Sequence, residues 1–143
     1  MSRGLVGLVC WLLGSSLLLA HGRTHWPVPE EAKKRQNPVA ATPESIKQGA
    51  MLYRGNCQLC HGEKGDGKGP WVEKLPVSPA NFTDAEMMRA MTDGEIFWKV
   101  SKGRHPMPSF EKQLSERQRW HLVNYLRTFP PGERRASSEA HSH

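Results

Sequence analysis

The sequence predicts a small all-α domain, and three observations carry that prediction. Apolar residues recur at helical spacing in four segments. Three of those segments open with residues that cap helices. Nowhere does a convincing period-two alternation mark a strand. The chain has 143 residues, enough for one small domain rather than two.

The elements follow in chain order. Residues 1–20 stand apart from the fold. A short positive start, MSR, leads into the apolar run GLVGLVCWLLGSSLLLA. This pattern is that of a secretory signal peptide cut after Ala20. The competing expectation is an uncleaved membrane anchor over residues 4–20, for which the run is a little short. Residues 21–41 are polar, charged and proline-containing, and read as a flexible lead.

The first helix of the domain begins at Thr42 as N-cap, with Pro43 at its first position. Ile46, Gly49, Ala50 and Tyr53 share a face, and Gly55 is expected to close the helix. The glycine-rich GEKGDGKGPW is expected to be an irregular loop. TDAEMMRAM reads as a short helix. TDGEIFWKVSKG reads as another, with a Thr92–Glu95 capping box and Gly103 as its stop. Ile96, Phe97 and Val100 make its apolar face. SERQRWHLVNYLRTFPPG carries a second capping box, Ser115–Gln118. Its stripe is Leu122, Tyr125, Leu126 and Phe129, and Pro130 ends it. Residues 130–143 read as a disordered tail whose His141 and His143 are expected to be solvated.

The chemistry concentrates in NCQLCHGEKGDGKGPW, residues 56–71. Without the leader, only Cys57 and Cys60 remain as cysteines. A disulfide between them would close a tiny loop and add little. A redox pair of the thioredoxin kind wants a preceding strand, and none is predicted. A zinc site needs four ligands, and no second cysteine pair completes the set. The remaining purpose is covalent haem attachment, for which C-x-x-C-H is a signature. Two thiols a helical turn apart reach the vinyl groups along one porphyrin edge, and His61 then points its imidazole at the iron. The expected cofactor is one haem c. Export agrees with this chemistry.

A haem used for electron transfer wants a second axial ligand, and methionine raises its potential. Met51 sits on the helix entering the motif, too close to reach the opposite face. Met87, Met88 and Met91 recur at helical spacing, as core residues do. Met107 lies in SKGRHPMPSF, a loop stiffened by Pro106 and Pro108, and is the expected ligand. His105 is its rival.

With these residues in place, the chain resembles a class I cytochrome c of the exported bacterial monohaem kind over residues 42–129. The resemblance rests on Gly49 and Tyr53, then Cys57, Cys60 and His61, the loop with Met107, Pro108 and Phe110, and the closing helix with Leu122 and Tyr125. It implies about four helices wrapped around one covalently bound haem. It also implies that the first and last helices cross with Gly49 against Tyr125. Pro70 is the implied acceptor for the second ring nitrogen of His61, a bond that would fix the tautomer. Arg104, in the ligand loop, is a candidate contact for a haem propionate.

The function expected is single-electron transfer, not catalysis, between exported or membrane-bound redox proteins. The alternatives are a subunit of a larger dehydrogenase or oxidase, and a sensor or peroxidase with an open distal site. The net charge of +6 suits an acidic partner or an anionic membrane surface. Nucleic-acid binding has no motif behind it, and a monomer is expected. Few large apolar side chains make a marginal core, so the haem-free chain is expected to fold poorly.

Overall fold

The computed structural model describes residues 26–132. The leader and residues 133–143, with the expected signal or anchor and most of the expected tail, lie outside the described residues. No helix among the described residues is long and apolar enough to cross a membrane.

Six α-helical segments make up the described chain: α1 (Glu30–Lys33), α2 (Pro43–Asn56), α3 (Gln58–His61), α4 (Ala85–Ala90), α5 (Asp93–Lys102) and α6 (Glu116–Leu126). Four of them, α2, α4, α5 and α6, are the helices the sequence predicts. The other two are a single turn that carries the cysteine motif and a single turn inside the lead.

α2 starts as its sequence requires. Thr42 Oγ1 accepts from the Ser45 amide at 3.2 Å, and Pro43 occupies the first turn. Gly55 does not end the helix, which runs one residue further to Asn56 with Cys57 as its cap. Its buried stripe is Ser45, Gly49 and Tyr53, while Ile46 and Ala50 are half-buried. The inward face is thus centred one position before the predicted one.

α5 is capped by Thr92, whose Oγ1 accepts from the Glu95 amide at 3.1 Å. The reciprocal half of the expected box is missing. The Glu95 carboxylate is drawn to Lys99 one turn on, at 2.7 Å, and the Thr92 hydroxyl donates to the Lys33 carbonyl at 2.7 Å. The Ser115–Gln118 box on α6 is complete in both directions.

α6 ends at Leu126, before the predicted Phe129. Arg127 caps its end with αR backbone angles. Its side chain crosses to Asp93 Oδ1 at 2.8 Å and to the carbonyls of Met88 and Met91, while the amides of Thr128 and Phe129 bond three residues back, to Tyr125 and Leu126, and tighten the chain into a turn. Phe129 still reaches the core, from a turn.

α2 and α6 form the most extensive helix contact. Tyr53, Met88, Ile96, Phe97, Phe110, Trp120, Leu122, Val123 and Leu126 fill the core around them. Phe97 stacks on Trp120 with centroids 3.9 Å apart, joining α5 to α6.

Residues 26–41 are not a flexible lead. Val28 and Ala32 are buried, and α1 packs on α5. Arg35 pairs with Glu116 at 2.6 Å and lies over the rings of Phe97 and Trp120. Asn37 donates to Asn124 Oδ1 at 2.7 Å, and Asn124 Nδ2 bonds the carbonyls of Val39 and Ala40 and the Ser45 hydroxyl. A Cβ on Gly94 would lie 2.1 Å from the Ala32 carbonyl oxygen, so the lead approaches α5 at a position where only glycine fits. Polar composition masked this packing, because Arg35 and Asn37 are held by partners on α6 that lie far away in sequence, and only Val28 and Ala32 are buried apolar anchors.

Candidate functional site

Cys57, Cys60 and His61 are carried on a single helical turn. The amide of Cys57 bonds back to the Tyr53 carbonyl at 2.8 Å, and the amide of His61 bonds to the Cys57 carbonyl at 2.9 Å. α3 therefore continues the path of α2 after a cap, with Cys57 at the junction. Gly62 terminates the turn at φ +81, in the left-handed region that favours glycine. The Tyr53 hydroxyl donates to the Gly62 carbonyl at 2.7 Å. Burial pushes the Tyr53 phenol well above its ordinary pKa, so it stays a neutral donor.

Both thiols are half-buried and unpaired. Burial, with Cys60 beside it, pushes the Cys57 thiol up to about 12. A protonated thiol is a poor partner for disulfide exchange. Neither thiol is engaged in a disulfide in this structure. Among the described residues no group of three or more His, Cys, Asp or Glu side chains gathers to hold a metal ion.

His61 Nδ1 lies 3.1 Å from the Ala80 carbonyl oxygen. A carbonyl only accepts, so Nδ1 carries the proton and Nε2 is left with its lone pair. Burial lowers the imidazole pKa below its ordinary value, and the Ala80 bond partly offsets this. The ring is also held by Phe82, stacked on it at 4.7 Å with planes 22° apart. Phe82 is backed in turn by Phe129 at 6.1 Å and Tyr53 at 6.4 Å.

Pro70 is not the acceptor for His61. The glycine-rich loop folds back along α3, with the amides of Gly67, Gly69 and Trp71 bonding to the carbonyls of His61, Cys60 and Leu59. Pro70 is exposed on that returning strand, alongside Leu59 rather than in front of the imidazole. The second arm of the loop brings Ala80 there, fixed by the Phe82 amide bonding to the Gly65 carbonyl at 2.7 Å. Ala80 and Phe82 were missed by the sequence reading. A backbone acceptor has no residue signature, and Phe82 lies in a loop without periodicity.

Met107 is half-buried and packs against the core. It exchanges two backbone hydrogen bonds with Arg104, at 3.0 and 2.8 Å. The loop is tied to α5 by Phe110 and Glu111, whose amides bond to the carbonyls of Val100 and Ser101, and by the Ser109 hydroxyl. His105 is exposed. Met88 is buried in the core, and the Met91 sulfur accepts from Lys99 Nζ at 3.3 Å. Arg104 is exposed, and its guanidinium lies over the Trp26 ring at 5.5 Å.

These residues fit a covalently held haem by the chemistry of the donor set. Two reduced thiols and an imidazole with its Nε2 lone pair available lie on one turn. Two large apolar side chains of this region, Leu59 between the cysteines and Trp71, whose amide bonds to the Leu59 carbonyl at 2.9 Å, are exposed.

Comparison with known proteins agrees with this chemistry. The family described as cytochrome c oxidase, cbb3-type, subunit III matches residues 44–126. A solved structure of KustC0563, a c-type cytochrome, superposes with a TM-score of 0.51 at 29% identity, covering 57% of this chain and 96% of that one. A chain of the Kuenenia stuttgartiensis reducing HAO-like protein complex Kustc0457/Kustc0458 superposes with a TM-score of 0.58 at 26% identity, covering 75% of this chain and 52% of that one. No curated protein matches.

Proposed function

The chain belongs to the c-type cytochrome family described as cytochrome c oxidase, cbb3-type, subunit III, and from that premise we propose that it carries single electrons through one haem c. Cys57 and Cys60 would hold the haem covalently, and His61 and Met107 would be its axial ligands. When bound, the haem supplies a one-electron couple. The chain supplies the rest. Ala80 and Phe82 fix the His61 ring in one tautomer and one orientation, which makes Nε2 the ligating atom. The loop ties at Arg104, Phe110 and Glu111 pre-order Met107, so ligation costs little conformational entropy. A thioether ligand raises the potential relative to a second imidazole.

The observation that carries this reading is the His61 Nδ1 to Ala80 bond. It leaves the Nε2 lone pair available, on the same turn as two unpaired thiols. Were His61 and Met107 both to hold the iron, they would leave no place for oxygen or peroxide, so the reading is a carrier and not an enzyme. Electrons would pass at the edge near Cys57 and Cys60. Arg104 is kept as a candidate contact for a propionate. The apolar leader supports an exported location, and the basic charge supports acidic redox partners or an anionic membrane surface.

The test is the visible spectrum of the ferric and ferrous protein, with and without carbon monoxide, for wild type and Met107→Ala. A low-spin wild type with the far-red sulfur-to-iron band and no carbon monoxide response, both lost in the variant, supports the carrier. A wild type that binds carbon monoxide readily overturns it.

A second reading, a haem subunit within a larger redox assembly, draws support from the likeness to a chain of the K. stuttgartiensis complex. Its measure is the size at which haem-stained protein elutes from a native extract.

A further inference from the structure

We propose that the packed lead acts as a clamp on the Met107 loop, with Trp26 as the positioning residue. The proposal rests on the reading of Met107 as an iron ligand.

Three observations build the clamp. First, the lead is fixed along its length. Lys33 is held through its carbonyl by Thr92, Arg35 by Glu116 and two rings, and Asn37 by Asn124. Second, that anchoring delivers Trp26 edge-on to Trp98, with centroids 6.3 Å apart, between two cations. The Arg104 guanidinium lies 5.5 Å from its ring centroid and the Lys99 ammonium 5.8 Å, both within cation–π range. Third, Arg104 is the residue whose backbone is paired with Met107 in both directions. The path from lead to ligand is therefore two contacts long. Trp26 holds the Arg104 side chain, and Arg104 holds the Met107 backbone.

A ligand loop releases its methionine by moving away as a unit, as local openings of exposed segments do. Here the outer strand of that unit is pinned from outside by a residue far away in sequence. Trp26 touches neither the thiols nor His61. Its expected effect is on how often the loop opens, not on how the haem is attached.

The experiment uses the holoprotein as wild type, Trp26→Ala and Trp26→Phe. Imidazole is the probe that replaces the methionine, read by loss of the far-red band in the ferric protein. Backbone amide exchange at Arg104 and Met107 is the second readout. Loss of the exposed Arg104 ring contact is expected to make imidazole displacement about two- to fivefold easier in Trp26→Ala. Exchange at the two amides should quicken by a similar factor. Trp26→Phe, which keeps an aromatic face, should restore most of both effects. Covalent haem content should be equal in all three. Unchanged displacement and unchanged exchange in Trp26→Ala would overturn the clamp. A wild type without the far-red band would overturn Met107 as ligand instead, and amide exchange would still decide whether Trp26 holds the loop.

Discussion

Gly49 on α2 sits against Tyr125 on α6 with no room for a side chain. A Cβ at position 49 would lie 2.6 Å from the Tyr125 Cβ and 2.2 Å from the His121 carbonyl oxygen. The obstacle on one side is backbone, which cannot swing aside as a flexible side chain could. Gly49→Ala is therefore expected to separate the two helices and to cost about 2 kcal/mol or more. For a domain of this size that is a fall in Tm of roughly 10 °C, measured by thermal melting of the holoprotein. An unchanged Tm would mean that the crossing yields without loss.

The same crossing makes stability depend on pH through His121. The Ser45 hydroxyl and His121 Nδ1 are 2.8 Å apart, and the hydroxyl oxygen already accepts from Asn124. The hydroxyl proton is thus directed at Nδ1, which serves as acceptor in the neutral ring. Burial first, then Arg117, lowers the His121 pKa. A histidine whose pKa is lower folded than unfolded contributes stability above its unfolded value of about 6.5. That contribution is lost as pH falls through the lowered folded value. Denaturant midpoints between pH 7.5 and 5 should decline, and His121→Gln should flatten the decline. A variant with the same slope as wild type would remove His121 from the account.

The cysteine pair makes a separate prediction. Cys57→Ala or Cys60→Ala alone should keep haem through the remaining thioether. The double variant should lose all its haem to acid–acetone extraction. Haem staining of a denaturing gel reads both results. Retained colour in the double variant would exclude these thiols as the attachment points.

Haem removal should unfold much of the chain. His61, Phe82 and Met107 are each only half-buried by the protein's own atoms, and a domain this small has little core to spare. Far-ultraviolet circular dichroism of chemically stripped protein should show reduced helix and no cooperative melt. A cooperative melt near the holoprotein's would show that α2, α5 and α6 suffice.

What was legible in the sequence was local. Thr42, Pro43, Ser115 and Gln118 mark helix starts through bonds made within three residues, so the sequence holds the whole signal. Cys57, Cys60 and His61 are equally local. The errors came where a distant partner decides. Glu95 left its box for Lys99 while Thr92 turned to Lys33. α6 ended early at Leu126, where Arg127 reaches Met88, Met91 and Asp93 on other elements. The imidazole partner became Ala80 rather than Pro70, because the path of the glycine loop and not the residue type selects the acceptor. The lead was the largest departure. Its polar composition reads as a tether, yet Arg35 and Asn37 find partners on α6 more than eighty positions away.

Docking of residues 26–37 onto α5 and α6 also sets a length scale. If the apolar run through residue 20 stays in a bilayer, residues 21–25 alone join it to the packed domain. Five residues of any conformation span at most about 18 Å. A lead free to residue 41 would reach roughly four times as far. Such a short leash rules out swinging between distant sites. Partners would then have to come to the domain, from solution or along the membrane, rather than be reached by the sweep of an arm.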